Sequence, residues 1–391
     1  MIGFSLATAC RAAAFSAAAY QTPAQSGVRE SIGGSIVTFF DGRDASSAAL
    51  PTLESRCSCF GIDDRSCRRY AFIDNAQTGT QVEAWTGAGG SVVSFRGTEI
   101  SDPRDIATDI FVAQDQLECA DIGMPCMLGS SQVHSGFGRA YGSVRVAVRE
   151  VLQRMRVISM ADAGVQPGDA PQLLLTGHSL GGALALLAAR ELGAALGGKL
   201  DLYTFGSPRV GDTALAAEIL RATARCSGPW RVVNNDDYLV PRFPRGTPAN
   251  RLWDYVHVGA TVLLPPPHNP TVPPALLVAA IGDAPGCPLR EVNPRYSGFL
   301  PPPIFDWPGT QLLAFAAQEA RVVVRLLTRG GVSAHFMVAY DAELSRCRAA
   351  GDQLQLKTAG EAERVDSSAP DGGYLDLLRA TWGETNDSTQ D

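Results

Sequence analysis

Gly177-His178-Ser179-Leu180-Gly181 sets a serine between two glycines. The apolar run before it, Leu173–Thr176, reads as a buried strand, and the Ala/Leu-rich run after it, Gly182–Leu192, reads as a helix. A serine on a sharp strand-to-helix turn is a nucleophile elbow. Residues without a Cβ let strand and helix approach closely, which lifts the hydroxyl above the sheet edge where a base can reach it. The available chemistry is attack by that hydroxyl on an electrophilic carbon, with a covalent intermediate.

A free serine hydroxyl is a poor nucleophile, so the turn needs a histidine base and a carboxylate to orient the base. In elbow folds the chain order is Ser, then Asp or Glu, then His. The chain has five histidines. His134 precedes Ser179, and His178 neighbours it on a turn where adjacent side chains diverge. His257 sits in a strand pattern, and His268 lies between prolines. His335, in the loop Gly-Gly-Val-Ser-Ala-His before a helix, follows the strand-like segments and is the preferred base, with His257 its rival. Asp236 and Asp237, at the end of the VVNN strand, are the candidate acids. An oxyanion needs two backbone N–H donors: Leu180, just after the serine, and Thr98, where the strand ending in Phe-Arg-Gly-Thr stops.

The elements that must position these groups follow in order. The opening Ala-rich stretch to Tyr20 reads as an amphipathic helix rather than a secretory leader, because no Lys or Arg precedes its apolar part and Arg11 interrupts it. A cytoplasmic or non-classically exported location is therefore expected over secretion. Ser35–Phe40, Tyr70–Trp85 (two strands about a turn at Asn75–Gly79) and Ser91–Glu99 read as strands. A helix is expected from Gly138, a strand within Lys199–Asp212, a helix over Thr213–Arg225, and strands over Trp230–Asp237 and Arg251–Leu264. Pro265–Pro308 is Pro-rich and reads as an insertion, its apolar piece Ala275–Ile281 expected to wall an acyl pocket. Helices are expected over Thr310–Arg329 and Phe336–Arg348. Strands alternating with helices predict an α/β fold with a mainly parallel central sheet. The expected organisation is one domain over residues 1–350 and an acidic, partly disordered tail over 351–391.

Composition excludes several classes. A net charge of −7, from 33 basic and 40 acidic residues with no basic stripe, argues against nucleic acid as a partner. No apolar run reaches the roughly 18 residues of a membrane span. The nine cysteines fit no zinc spacing, and the expected chemistry needs no metal or cofactor. Cys119 and Cys126 are close enough in sequence to pair in an oxidising compartment, but composition does not require it.

Several pieces in a fixed order carry a resemblance: VVSFRGTE, DIATDI, VHSGF, LLLTGHSLGGALALL, LYTFGSPRVGD, VVNNDDYLVPRFP, YVHVG and AHFMVAYDAEL. From about Ala12 to Arg348 the chain resembles the class 3 lipases. The resemblance implies an α/β-hydrolase fold and hydrolysis of carboxylic esters, with a lipid or other ester as substrate and transient contact with a lipid interface. It implies a triad of Ser179, Asp237 and His335, an oxyanion hole from Thr98 and Leu180, and His257 as a structural histidine. It also implies a mobile lid within Glu99–Ser131. That segment is polar, with Asp102, Arg104, Asp105 and Asp109, which argues against a lid opening onto oil. One residue more than the family usually has separates Asp237 from its Val-Pro, so Asp236 stays a fallback. Neighbouring readings are a phospholipase A1 or a short-chain esterase with the same machinery. A reading from another class is an inactive scaffold for protein binding. Oligomeric state is not legible.

Overall fold

The computed structural model of the chain describes residues 4–21, 27–40, 68–87, 90–98, 117–119, 131–155, 172–196, 199–234, 237, 240–242, 255–264, 275–279, 335–349 and 355–358. Its centre is strand β8 (Leu173–His178), buried along its whole length. A strand covered on both faces must be apolar on both, and the alternation shows it. Leu173 and Leu175 point into one core, and Leu174 points into the other. β5 (Gly90–Phe95) and β9 (Leu200–Phe205) flank β8 in parallel, with β10 (Ser227–Asn234) and β11 (Ala260–Leu264) continuing the parallel run beyond β9.

On the other side of β5 the sheet is an antiparallel meander. It is built of β1 (Val28–Ile32), β2 (Ser35–Phe39), β3 (Arg68–Asn75) and β4 (Thr80–Gly87). The β3–β4 turn is set by Asn75, whose side-chain oxygen accepts from the Gln77 and Thr78 N–H groups. The fold is thus α/β with a mixed sheet whose parallel part is central. β6 (Leu117–Cys119) and β7 (Gln132–His134) form a separate antiparallel pair.

Helices cover both faces. α2 (Ser135–Arg154), α3 (Leu180–Leu196) and α4 (Thr213–Ala222) pack on one, around Val144, Val148, Leu184 and Leu215. α1 (Leu6–Ala18) and α5 (Met337–Ala349) pack on the other, around Phe15, Trp85, Tyr203 and Tyr340. α1 forms where an amphipathic helix is expected from sequence, but it is buried between two layers rather than along one face. Alanines at 9, 12, 13, 14 and 18 are all buried, because the helix lies between the sheet and α5. Small side chains on every face allow that close double packing. Ser16 and Thr176 share a buried hydroxyl–hydroxyl bond of 2.8 Å across the α1–β8 contact.

Two further readings change. Ala275–Ala279, within the Pro-rich run read as an insertion, forms strand β12, antiparallel to β11, and β13 (Gln355–Thr358) pairs parallel with β12. The sheet therefore continues past residue 350, where the tail was expected to begin. A short β-rich apolar run beside β11 satisfies that strand's outer backbone groups. The strand expected over Arg251–Leu264 begins only at Ala260, after Gly259 at φ +86°. The Thr310–Arg329 helix and the DIATDI motif lie outside the described residues. So does the expected lid, apart from β6 and Ser131.

Candidate active site

The parallel strands end together: Phe95 is paired with Gly177, His178 with Phe205, and Phe205 with Val232. The residues just beyond these ends are Arg96–Thr98, Ser179, Gly206 and Asp237. In open α/β sheets, sites form outside the carboxyl ends of the strands.

Ser179 has φ +55°, the one positive-φ residue other than glycine among those described, and is buried. Holding a serine in the left-handed region costs roughly 1–2 kcal/mol. The strain is held by its N–H donating to Phe205 O at 2.9 Å and its carbonyl accepting from Gly182 N–H at 2.9 Å. The flanking glycines are required by contact. A Cβ on Gly177 would strike the Gly181 carbonyl, and one on Gly181 would strike the Phe95 carbonyl. The strand, the elbow helix and the Phe-Arg-Gly-Thr loop therefore close on one another at this turn. Leu180 begins α3, and Thr98 lies half-buried at the exit of β5.

Of the five histidines, His335 is the one paired with a carboxylate among the described residues. Its Nδ1 lies 2.6 Å from Asp237 Oδ2, and both side chains are fully buried. A carboxylate only accepts, so Nδ1 carries the proton and Nε2 presents its lone pair. Nε2 is buried with no hydrogen-bond partner among the described residues. The His335 ring packs on that of His178, centroids 4.6 Å apart, which sets it beside the residue preceding Ser179.

Sequence reasoning missed two groups here. Tyr340 donates to the same Asp237 Oδ2 at 2.7 Å. It stands five residues after His335 in AHFMVAY, and only the start of α5 at Met337 reveals that it turns back toward the strand ends. Gly206, at φ +54°, is the other. A Cβ there would sit 2.8 Å from Asp237 Oδ2, 2.9 Å from His335 Cε1 and 2.9 Å from Tyr340 Oη.

The remaining histidines have other partners. His257 is buried, its Nε2 2.6 Å from Pro241 O, and burial followed by the Arg231 and Arg209 charges holds it neutral, well below the usual imidazole range. His134 caps α2, accepting from Gly136 N–H at 3.1 Å. His178 is neutral through burial first and the adjacent His335 second. Asp236 and His268 lie outside the described residues. No cluster of three or more His, Cys, Asp or Glu arranged to hold a metal occurs among the described residues.

The sequence profile of the class 3 lipases matches residues 92–247, which contain β5, the elbow and Asp237. That segment is similar to the class 3 lipases, and it covers less than half of the chain. A secreted mono- and diacylglycerol lipase of Fusarium solani is 35% identical over 112 residues, 29% of each chain. A lipase of Rhizomucor miehei is 35% identical over 137 residues, 34% of this chain and 32% of that one. The matches thus span about a third of these relatives' length. Among solved structures, lipase II from Rhizopus niveus is similar at a TM-score of 0.46 and 22% identity, over 66% of this chain and 80% of that one. The matched segment includes the elbow and Asp237, whereas His335 lies beyond it. No helix among the described residues is long and apolar enough to cross a membrane.

Proposed function

We propose that the chain is a serine hydrolase that cleaves carboxylic esters of lipids through an acyl-enzyme. The observation that carries this is the buried His335–Asp237 pair at 2.6 Å, with its free Nε2 edge on a ring seated against the elbow.

Ser179 Oγ attacks the ester carbonyl carbon while His335 Nε2 takes the hydroxyl proton. Asp237 holds the ring in the Nδ1–H tautomer and stabilises the imidazolium as it forms. The carbonyl oxygen becomes an oxyanion held by the backbone N–H groups of Leu180 and Thr98, each worth a few kcal/mol of barrier. As the tetrahedral species collapses, the alcohol leaves with the proton from Nε2. Water then attacks the acyl-serine, its proton passing to Nε2 and from there back to Ser179 as the acid departs.

The relatives named as mono- and diacylglycerol lipases support a glycerolipid ester as the substrate class. A fluorophosphonate probe tests the nucleophile, and hydrolysis of a diacylglycerol, a triacylglycerol, phosphatidylcholine and short nitrophenyl esters tests the class. Labelling of Ser179 with turnover of glycerolipid esters is expected. Absence of label on Ser179 in the folded protein would sink the proposal.

A further inference from the structure

His178 has a side chain that the reaction above does not use, although it sits next to the nucleophile. Its ring is fully buried and both nitrogens are engaged. Nε2 lies 2.6 Å from the main-chain oxygen of His335, and Nδ1 lies 2.7 Å from Tyr20 Oη. A peptide oxygen can only accept, so Nε2 carries the proton and Nδ1 accepts from the Tyr20 hydroxyl. The Tyr20 oxygen in turn accepts from the Gly97 backbone N–H. Gly97 has to be glycine for this to close: a Cβ there would strike Tyr20 Oη and lie 2.7 Å from the His178 carbonyl.

These three contacts form one directed chain: Gly97 N–H to Tyr20 O–H, Tyr20 O–H to His178 Nδ1, and His178 Nε2–H to His335 O. Each link joins a different part of the site. Gly97 precedes Thr98 in the loop assigned to the oxyanion, His178 precedes Ser179, and His335 is the base. Tyr20 follows α1, from the far end of the sequence.

We propose that His178, held in one tautomer by Tyr20, is a positioning residue that fixes the His335 main chain against the elbow. This rests on the serine-hydrolase reading above. Asp237 fixes the direction of the His335 ring, but a ring also needs its backbone held at a set distance from the serine. His178 supplies that hold from the peptide bond adjoining Ser179. Neutrality of His178 is part of the device, because a second proton would sit on Nδ1 and face the Tyr20 hydroxyl. Burial and the neighbouring His335 keep that proton off.

The test uses the full chain in four forms: wild type, Tyr20→Phe, His178→Phe and His178→Gln. Each is assayed for kcat and KM on a nitrophenyl ester and for the rate of Ser179 labelling by a fluorophosphonate, with thermal unfolding as the check on folding. The His335 Nδ1–H proton is followed by NMR as a readout independent of turnover.

Tyr20→Phe and His178→Phe should lower kcat by about 10- to 100-fold, the scale of a misplacement near 1 Å, with KM little changed. Both should shift the His335 Nδ1–H resonance. His178→Gln, whose amide N–H can still reach the His335 oxygen, should recover most of the loss. Folded phenylalanine variants with wild-type kcat, labelling rate and resonance would overturn the proposal. So would a glutamine variant as impaired as the phenylalanine one. If His178→Phe does not fold, Tyr20→Phe decides, since it removes a single hydroxyl. If wild type neither labels nor turns over, the hydrolase reading fails by itself, and the resonance still reports whether Tyr20 and His178 position His335.

Discussion

Tyr340 and His335 donate to one and the same oxygen of Asp237, at 2.7 and 2.6 Å, while the other carboxylate oxygen is buried with no partner among the described residues. Two donors on Oδ2 fix the carboxylate plane, and they come from the base itself and from the helix that follows it. Hydrogen bonds to a charged acceptor contribute more than neutral ones. Tyr340→Phe should therefore lower kcat by about 10- to 100-fold with KM little affected, equivalent to the ~1.5–3 kcal/mol of such a bond. Steady-state kinetics on a soluble ester check this, and an unchanged kcat would show that His335 alone suffices to hold Asp237.

Gly206 faces the same three groups. In Gly206→Ala the added methyl meets the carboxylate, imidazole and phenol together, and the φ of +54° adds about 1 kcal/mol of backbone strain. Activity should fall far more than stability. Kinetics and urea unfolding on the same preparation separate the two, and proportional losses would argue against a selective effect on the site.

His335 and His257 are both buried, but they have different partners. His335→Ala removes the proposed base and should abolish turnover while the sheet stays folded. His257→Ala leaves the Pro241 carbonyl without its donor in a buried place, at about 1–3 kcal/mol of stability, with kcat retained in the folded fraction. The reverse pattern would exchange their roles.

His178 and His257 both have folded-state values well below the usual 6.5. The unfolded chain then binds protons that the folded chain refuses once pH drops below about 6.5, so stability present above that pH is lost on acidification. Two such groups give a slope of up to about 2.7 kcal/mol per pH unit. His257→Gln, which keeps an N–H for Pro241, should remove about one proton from that slope in urea titrations. A slope identical to wild type would refute the account.

Glu83 works in the opposite sense. It is fully buried, and burial outweighs Arg69 at 2.9 Å and Trp85 at 3.0 Å, pushing its carboxyl up to about 7. The folded chain keeps a proton that the unfolded chain releases above about 4.5, so this contribution is lost as pH rises from there to about 7. Glu83→Gln mimics the protonated form and should raise the thermal midpoint at pH 8 while changing it little at pH 5. A lower midpoint at pH 8 would mean the ionised Arg69–Glu83 pair is the stabilising form.

Much of this was readable beforehand because it is local. The elbow at Ser179 announces itself through a strand, two glycines and a helix within twenty residues, and the β3–β4 hairpin through Asn75. His335 is reachable by chain order and elimination, and the resemblance to the class 3 lipases prefers Asp237 to Asp236, although 98 positions separate the pair. What escaped was set by packing between distant segments. A tyrosine ending an Ala-rich helix gives no sign that it will reach the elbow, and His178 was set aside because neighbouring side chains diverge on a turn. They do diverge, and that divergence aims His178 at the His335 main chain. α1 misled for a related reason: alanine spacing does not say whether one face of a helix is covered or all of them. Ala275–Ala279 is too short an apolar run, within a Pro-rich segment, to announce itself as a strand of the sheet.

The two helices that close the rear face, α1 and α5, are the first and last described helices, and each delivers a residue to the site: Tyr20 just past one, His335 just before the other. On the ribosome Tyr20 emerges well before His335. The serine turn is synthesised before its proposed base, so the growing chain carries the proposed nucleophile without it. With Ser179 as the proposed nucleophile and His335 as its proposed base, docking of α5 onto α1 is the step that arms the site, and a chain cut short before residue 335 is expected to stay inert.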